Sequence, residues 1–161
     1  MKKRCISLFV ENEVGVLAYI SGLFSGKGYN VDSLTVGTTI DPTVSRMTIR
    51  VTSDDQTYEQ IKKQLNRSVP VIRVMDFTET DTFMKELMYL KITDCDDAEM
   101  KKVARLADVY DAKIIDCISG SVLMECVQTE EENDELIEKF TGEFATRVEI
   151  VRGGSVAIET L

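Results

Sequence analysis

Apolar residues Ile6, Leu8 and Val10 fall at every second position from Lys3 to Val10, a period that predicts a half-buried strand. After the turn Glu11–Val14 the spacing lengthens. Val16, Leu17, Ile20, Leu23 and Phe24 recur at helical intervals, with Gly26 and Gly28 as punctuation at the end. Tyr29–Thr38 and Val44–Thr52 are β-rich and flank Asp41-Pro42, so they pair as a hairpin. Ser53-Asp54-Asp55 caps a second helix marked by Tyr58, Ile61 and Leu65, and Pro70–Phe77 is the last strand of the series.

The second half repeats this order. Leu87–Thr93 alternates as a strand, and Asp96-Asp97 opens a helix with Met100, Val103, Ala104, Ala107 and Tyr110 on its apolar face. Lys113–Ile118 and Val122–Val127 surround Ser119-Gly120-Ser121, a turn of hairpin length. Thr129 and Glu132 have capping-box spacing ahead of Leu136, Ile137 and Phe140, and Arg147–Val151 closes the unit. Each half reads β-α-β-β-α-β. The pattern predicts an α+β protein of two ferredoxin-like domains, at residues 1–78 and 83–161, joined through the polar stretch Thr78–Thr82. The tail Gly153–Leu161 is expected to lie outside the second domain or only loosely in it.

Composition narrows the chemistry. The 161 residues are 43% hydrophobic and 29% charged, which suits a globular core, and no apolar run approaches the roughly 20 residues that span a bilayer. Met1–Arg4 is basic, but the apolar run after it is too short for a secretory signal, so a cytoplasmic protein is expected. The net charge of −9 is uneven: residues 1–80 hold 10 basic and 9 acidic side chains, residues 81–161 hold 9 and 19. Such an acidic second half repels a phosphate backbone, and nucleic acid is not expected as a partner. The chain has no histidine, which excludes histidine acid–base catalysis, histidine-activated nucleophiles and histidine-ligated zinc. Cys5, Cys95, Cys117 and Cys126 form no CxxC pair and read as small apolar residues of a reduced protein. Asp94, Asp96 and Asp97 read as a solvated helix start, and Arg46 and Arg50 as an exposed strand face. No catalytic or metal-binding constellation is assembled.

The informative segment is Glu11-Asn12-Glu13-Val14-Gly15-Val16-Leu17, where the first strand meets the first helix. A helix tip offers free N–H groups and the positive end of its dipole, which together seat a carboxylate. Gly15 leaves the approach unobstructed, and Asn12 can address both the carboxylate and the ammonium of an amino acid. A tight turn with Asn12 as a cap explains the same residues. Asn30, beside Val31 at the start of the second strand, offers a second amide. Two such domains set edge to edge bring the helix tip of one to the strand start of the other.

With these residues the chain resembles the regulatory small subunit of acetolactate synthase. The likeness rests on Glu11–Leu17, Gly22–Ser25, Gly28–Val31, Ser33–Val36 and Asp41–Ile49 in that order, fades through the second half and returns at Lys113–Asp116. It implies an N-terminal ACT domain, a homodimer through that domain, and a non-catalytic chain that activates a large catalytic subunit. Thiamine diphosphate, magnesium and FAD would then belong to the partner. It also implies feedback inhibition by valine or another branched-chain amino acid held at Asn12, Gly15, Val16, Leu17, Asn30, Val31 and Gly37. The tail departs from the pattern, because Ile158–Leu161 lacks the usual arginine-glycine, and Tyr19 stands at a position that is commonly basic. The alternative is a free-standing amino-acid sensor of the ACT type.

Overall fold

The computed structural model describes all 161 residues. The chain runs β1 (Lys2–Glu11), α1 (Val16–Gly26), β2 (Ser33–Thr38), β3 (Val44–Ser53), α2 (Asp55–Asn66) and β4 (Val71–Asp76), then β5 (Thr82–Ile92), α3 (Asp97–Val109), β6 (Lys113–Ile118), β7 (Ser121–Gln128), α4 (Glu130–Phe144) and β8 (Val148–Glu159). The strands form two four-stranded sheets, β2-β3-β1-β4 and β6-β7-β5-β8. This is the twice-repeated βαββαβ order that the periodicity predicts. By internal packing the chain divides into Met1–Phe83 with Ser155–Leu161, and Met84–Gly154.

In the first unit the even residues of β1 and the odd residues of β3 face two helices. Ile6, Leu8, Val10, Met47, Ile49 and Val51 bury against Val16, Ile20 and Phe24 of α1 and Tyr58, Ile61 and Leu65 of α2. Removing side chains of this size from water is worth about 1.5–3 kcal/mol each, so the alternating strand and the helical stripe stabilise the same layer. Edge strand β2 pairs only with β3, in the register Gly37↔Arg46 and Thr35↔Thr48.

The second unit repeats the arrangement with Met88, Leu90, Ile92, Val122, Met124 and Cys126 under Val103, Ala107, Leu136 and Phe140. Its hairpin turns at Ser119 (φ +24°) and Gly120 (φ +77°). A Cβ at Gly120 would lie 2.8 Å from the carbonyl oxygen of Cys95, so both backbone angle and space demand glycine there.

Three boundaries differ from the sequence pattern. β2 starts at Ser33, four residues after Tyr29, which leaves Asn30 and Val31 in the loop before it. β5 begins at Thr82, five residues before Leu87, and includes Glu86, which is only 3% exposed. A buried glutamate breaks the apolar alternation and hides the strand. Arg152 makes it possible, donating from Nη2 (2.6 Å) and Nε (3.0 Å), while Asn133 Nδ2 donates at 3.1 Å. Burial pushes the Glu86 carboxyl up, but these hydrogen bonds outweigh it and leave it below the ordinary value. β8 likewise does not stop at Val151. It continues to Glu159, and of the tail Gly153–Leu161, expected outside the second domain or only loosely in it, Ser155–Leu161 packs within the first unit. No helix is long and apolar enough to cross a membrane.

Candidate functional site

The loop from β1 to α1 is held by backbone bonds on both sides: Glu11 N–H donates to Pro70 O (2.9 Å) and Asn12 N–H to Thr43 O (2.7 Å). Asn12 Nδ2 donates to Pro42 O at 2.8 Å. The side chain of Asn12 therefore ties the loop to the β2–β3 turn and does not cap α1. At the helix start Gly15 takes the left-handed conformation (φ +91°, ψ −12°), which costs an L-residue about 1–2 kcal/mol. The space around an added Cβ is empty, so glycine is required by the angle alone.

No side chain caps α1, and no acid lies in its first turn. The other three helices are closed. Asp54 accepts from Thr57 N–H, Asp96 forms a capping box with Glu99, and Thr129 forms one with Glu132. The first-turn amides of α1, those of Leu17 and Ala18, face the positive end of the dipole without a side-chain acceptor. Val16 is buried in the core beside them and Leu17 is 44% exposed, so an apolar wall adjoins the tip.

The remaining sequence-predicted residues lie elsewhere. Gly28 (φ +71°) ends α1, and Asn30 follows, exposed, lining a cavity of about 200 Å³ with Tyr29, Val51, Ser53 and Ile61. Val31 is half-buried against the core. With 11 residues at about 1.5 Å each, α1 separates the Asn12–Leu17 group from the Asn30–Val31 group by about 16 Å. Within one chain the two groups are not brought together. Gly37 belongs to neither, because Leu34 joins the core and the strand alternation puts Thr35 and Gly37 on the other face. There they line a cavity of about 280 Å³ with Arg46, Thr48, Val156 and Ala157.

That outer face also corrects the reading of Arg46 and Arg50 as solvated. Arg50 is 7% exposed, and Arg46 donates from Nε to Ser7 Oγ (2.9 Å) with its guanidinium 5.4 Å from the Phe9 ring and 5.8 Å from Phe77. Nothing in the local pattern signals this, since alternate arginines on a strand look the same in water. A further polar cleft of about 500 Å³ holds Arg4, Tyr58, Lys62 and Asp76. Its charges are matched internally: Arg4 with Asp55, and Asp76 with Lys62 (2.9 Å) and the Tyr58 hydroxyl (2.6 Å). Burial pushes Asp76 up, yet Tyr58, Lys62 and Thr78 carry it down to about 2.

Residues 6–73 match the family model described as the AHAS small subunit-like ACT domain, and residues 85–160 match that of the small subunit of acetolactate synthase. The chain belongs to the acetolactate synthase small-subunit family. It is 36% identical over 156 residues to the acetolactate synthase small subunit of Haemophilus influenzae, covering 97% of this chain and 94% of that one. The probable acetolactate synthase small subunit of Archaeoglobus fulgidus is 35% identical, with 97% and 96% covered. The crystal structure of the acetolactate synthase small subunit from Thermotoga maritima superposes with a TM-score of 0.86 at 28% identity, over 100% of this chain and 99% of that one. In this small-subunit frame the first unit is the ACT domain, and the open tip of α1 lies within it.

Proposed function

We propose that this chain activates an acetolactate synthase catalytic subunit and makes it respond to a branched-chain amino acid bound between two paired ACT domains. Its family role is that of a non-catalytic, regulatory subunit. The observation that carries the effector reading is the uncapped tip of α1, in a unit where β2 is an edge strand. Between β1 and β2, α1 crosses the half of the sheet that ends in β2. Antiparallel pairing of β2 with its copy about a twofold axis lays the two α1 helices side by side in opposite directions. The Gly15 tip of one protomer then meets the Asn30 end of its partner, and the two half-sites become one.

In that crevice the effector carboxylate takes the amides of Leu17 and Ala18. Asn12 Oδ1, left free while Nδ2 holds Pro42, accepts from the ammonium, and Asn30 of the opposite protomer completes the polar ring. Val16, Leu17 and Val31 offer the branched side chain an apolar wall. Exposed Leu17, Tyr19, Val36 and Ile40 supply apolar surface for the pairing. Effector binding across the seam favours one placement of the paired domains, and the partner subunit reads that placement. Thiamine diphosphate, magnesium and FAD are assigned to the catalytic subunit. A free-standing sensor is not favoured, because the second half of the chain matches the small-subunit model as well.

Titration of the chain into an isolated acetolactate synthase large subunit, with and without valine, leucine or isoleucine, tests the proposal. Acetolactate formation rises with added chain and falls with effector. Asn30→His leaves the rise and removes the fall. An unchanged rate in the first titration refutes the activating role, and wild-type inhibition in the variant refutes the site.

A further inference from the structure

The last strand of the chain spans both compact units. β8 is continuous from Val148 to Glu159; its residues through Gly154 pack in the second unit and those from Ser155 onward in the first. Within the first unit the terminal segment is fastened at three points. Thr35 Oγ1 donates to Ser155 O at 2.9 Å, Arg46 Nη2 to Ala157 O at 3.0 Å, and Thr160 N–H to Asp81 O at 3.0 Å. Ser155 and Ala157 are buried while Val156 and Ile158 are exposed, the alternation of a strand with one side covered.

Two of these anchors lie on the strands that form the effector edge. Thr35 is in β2, and Arg46 is the β3 residue directly opposite Gly37. Arg46 has little freedom, because Ser7 Oγ holds its Nε and the rings of Phe9 and Phe77 flank its guanidinium. It converts the position of β3 into the position of Ala157. The same strand runs on without a loop through Gly153 and Gly154, the latter at φ +81°, into the residues of the second unit.

We infer that Ser155–Leu161 is a strap coupling the ACT edge strand to the second unit, with Arg46 as its positioning residue. The inference rests on the effector reading above and adds the route by which occupancy leaves the ACT domain. Neither Arg46 nor Thr35 belongs to the half-sites around Gly15 and Asn30. Weakening their bonds therefore separates effector binding from its consequence, which a general loss of stability does not do.

The test uses the full chain with the catalytic subunit and three variants: Arg46→Met, which keeps an apolar stem and loses the donors; Arg46→Lys, which restores a charge and a donor; and Thr35→Val, which removes one hydroxyl from a β-favouring side chain. Calorimetry reads the affinity for valine, leucine and isoleucine, and acetolactate formation reads activation and the inhibition left at saturating effector. In Arg46→Met and Thr35→Val the dissociation constant and the activation stay within about twofold of wild type, while maximal inhibition falls by about half or more. Arg46→Lys recovers part of it. If Arg46→Met does not fold, Thr35→Val carries the test by itself. Wild-type inhibition in every folded variant overturns the strap alone. A wild-type chain that binds none of the three amino acids overturns the effector reading and the strap with it.

Discussion

α1 and α3 occupy the same place in the two βαββαβ repeats, each following the first strand of its unit, yet their tips are built in opposite ways. α3 is closed by a reciprocal Asp96–Glu99 box, and Arg147 locks Glu99 from outside at 2.7 and 3.0 Å. α1 starts on a left-handed glycine with no cap and no acid. The fold tolerates either solution, because tertiary packing rather than capping supplies most of a short helix's stability. A tip satisfied by its own side chains has nothing left for a ligand, whereas an open one forgoes about 1 kcal/mol of capping and keeps two amides available.

The most disruptive change is expected in the closed unit. Arg152→Ala leaves Glu86 charged and buried, and costs about 3 kcal/mol, read from denaturant unfolding near neutral pH. An unchanged midpoint would mean that Glu86 is not held by that arginine. Next comes the open tip. Gly15→Asp supplies an acid at the tip from within the chain; the left-handed angle makes it cost about 1–2 kcal/mol of stability, while effector affinity falls at least about tenfold. Wild-type affinity in that variant would show that the tip is not the carboxylate seat. Asp96→Ala, the converse change, costs about 1 kcal/mol of stability and leaves effector binding as it is.

Acid titration compares the units in another way. Asp76 in the first unit titrates at about 2 instead of 3.8, and Glu99 in the second, held down chiefly by Arg147, at about 2 instead of 4.5. Because the folded values are depressed, each group's contribution is complete above the ordinary value and is lost as pH falls toward 2. Asp76→Asn and Glu99→Gln therefore flatten the stability profile between about pH 4.5 and 2, with little pH dependence added above that window. The smallest effect is a gain. Ala145 has φ +47° and ψ −122°, a glycine conformation, so Ala145→Gly raises stability by up to about 1 kcal/mol in a thermal melt.

Much of this is legible in the sequence. The α4 cap at Thr129 and Glu132 and the α3 cap at Asp96 bond to backbone three residues away, so their spacing announces them. The glycine-opened tip of α1 is visible for the same reason. Asn12 was not legible as a clamp, because Pro42 is 30 residues distant and comes alongside only when β1 and β3 register. Gly37 is grouped with Asn12 and Asn30 by the resemblance but lines the outer face of the sheet, a consequence of strand parity that depends on where β2 starts.

From the residues alone came the helices and strands, the apolar faces of β1, β5 and the four helices, and the two repeats, because these follow from side-chain period and from bonds between a residue and its near neighbours. Folding decided the rest: that Glu86 is buried and paired, that Arg46 sits between two rings, that the tail returns to the first unit at Thr35 and Arg46. Those contacts join residues 31 to 120 positions apart. Chain entropy leaves such pairs unspecified until the sheets are in register, and only then do burial and geometry select one partner for each polar group.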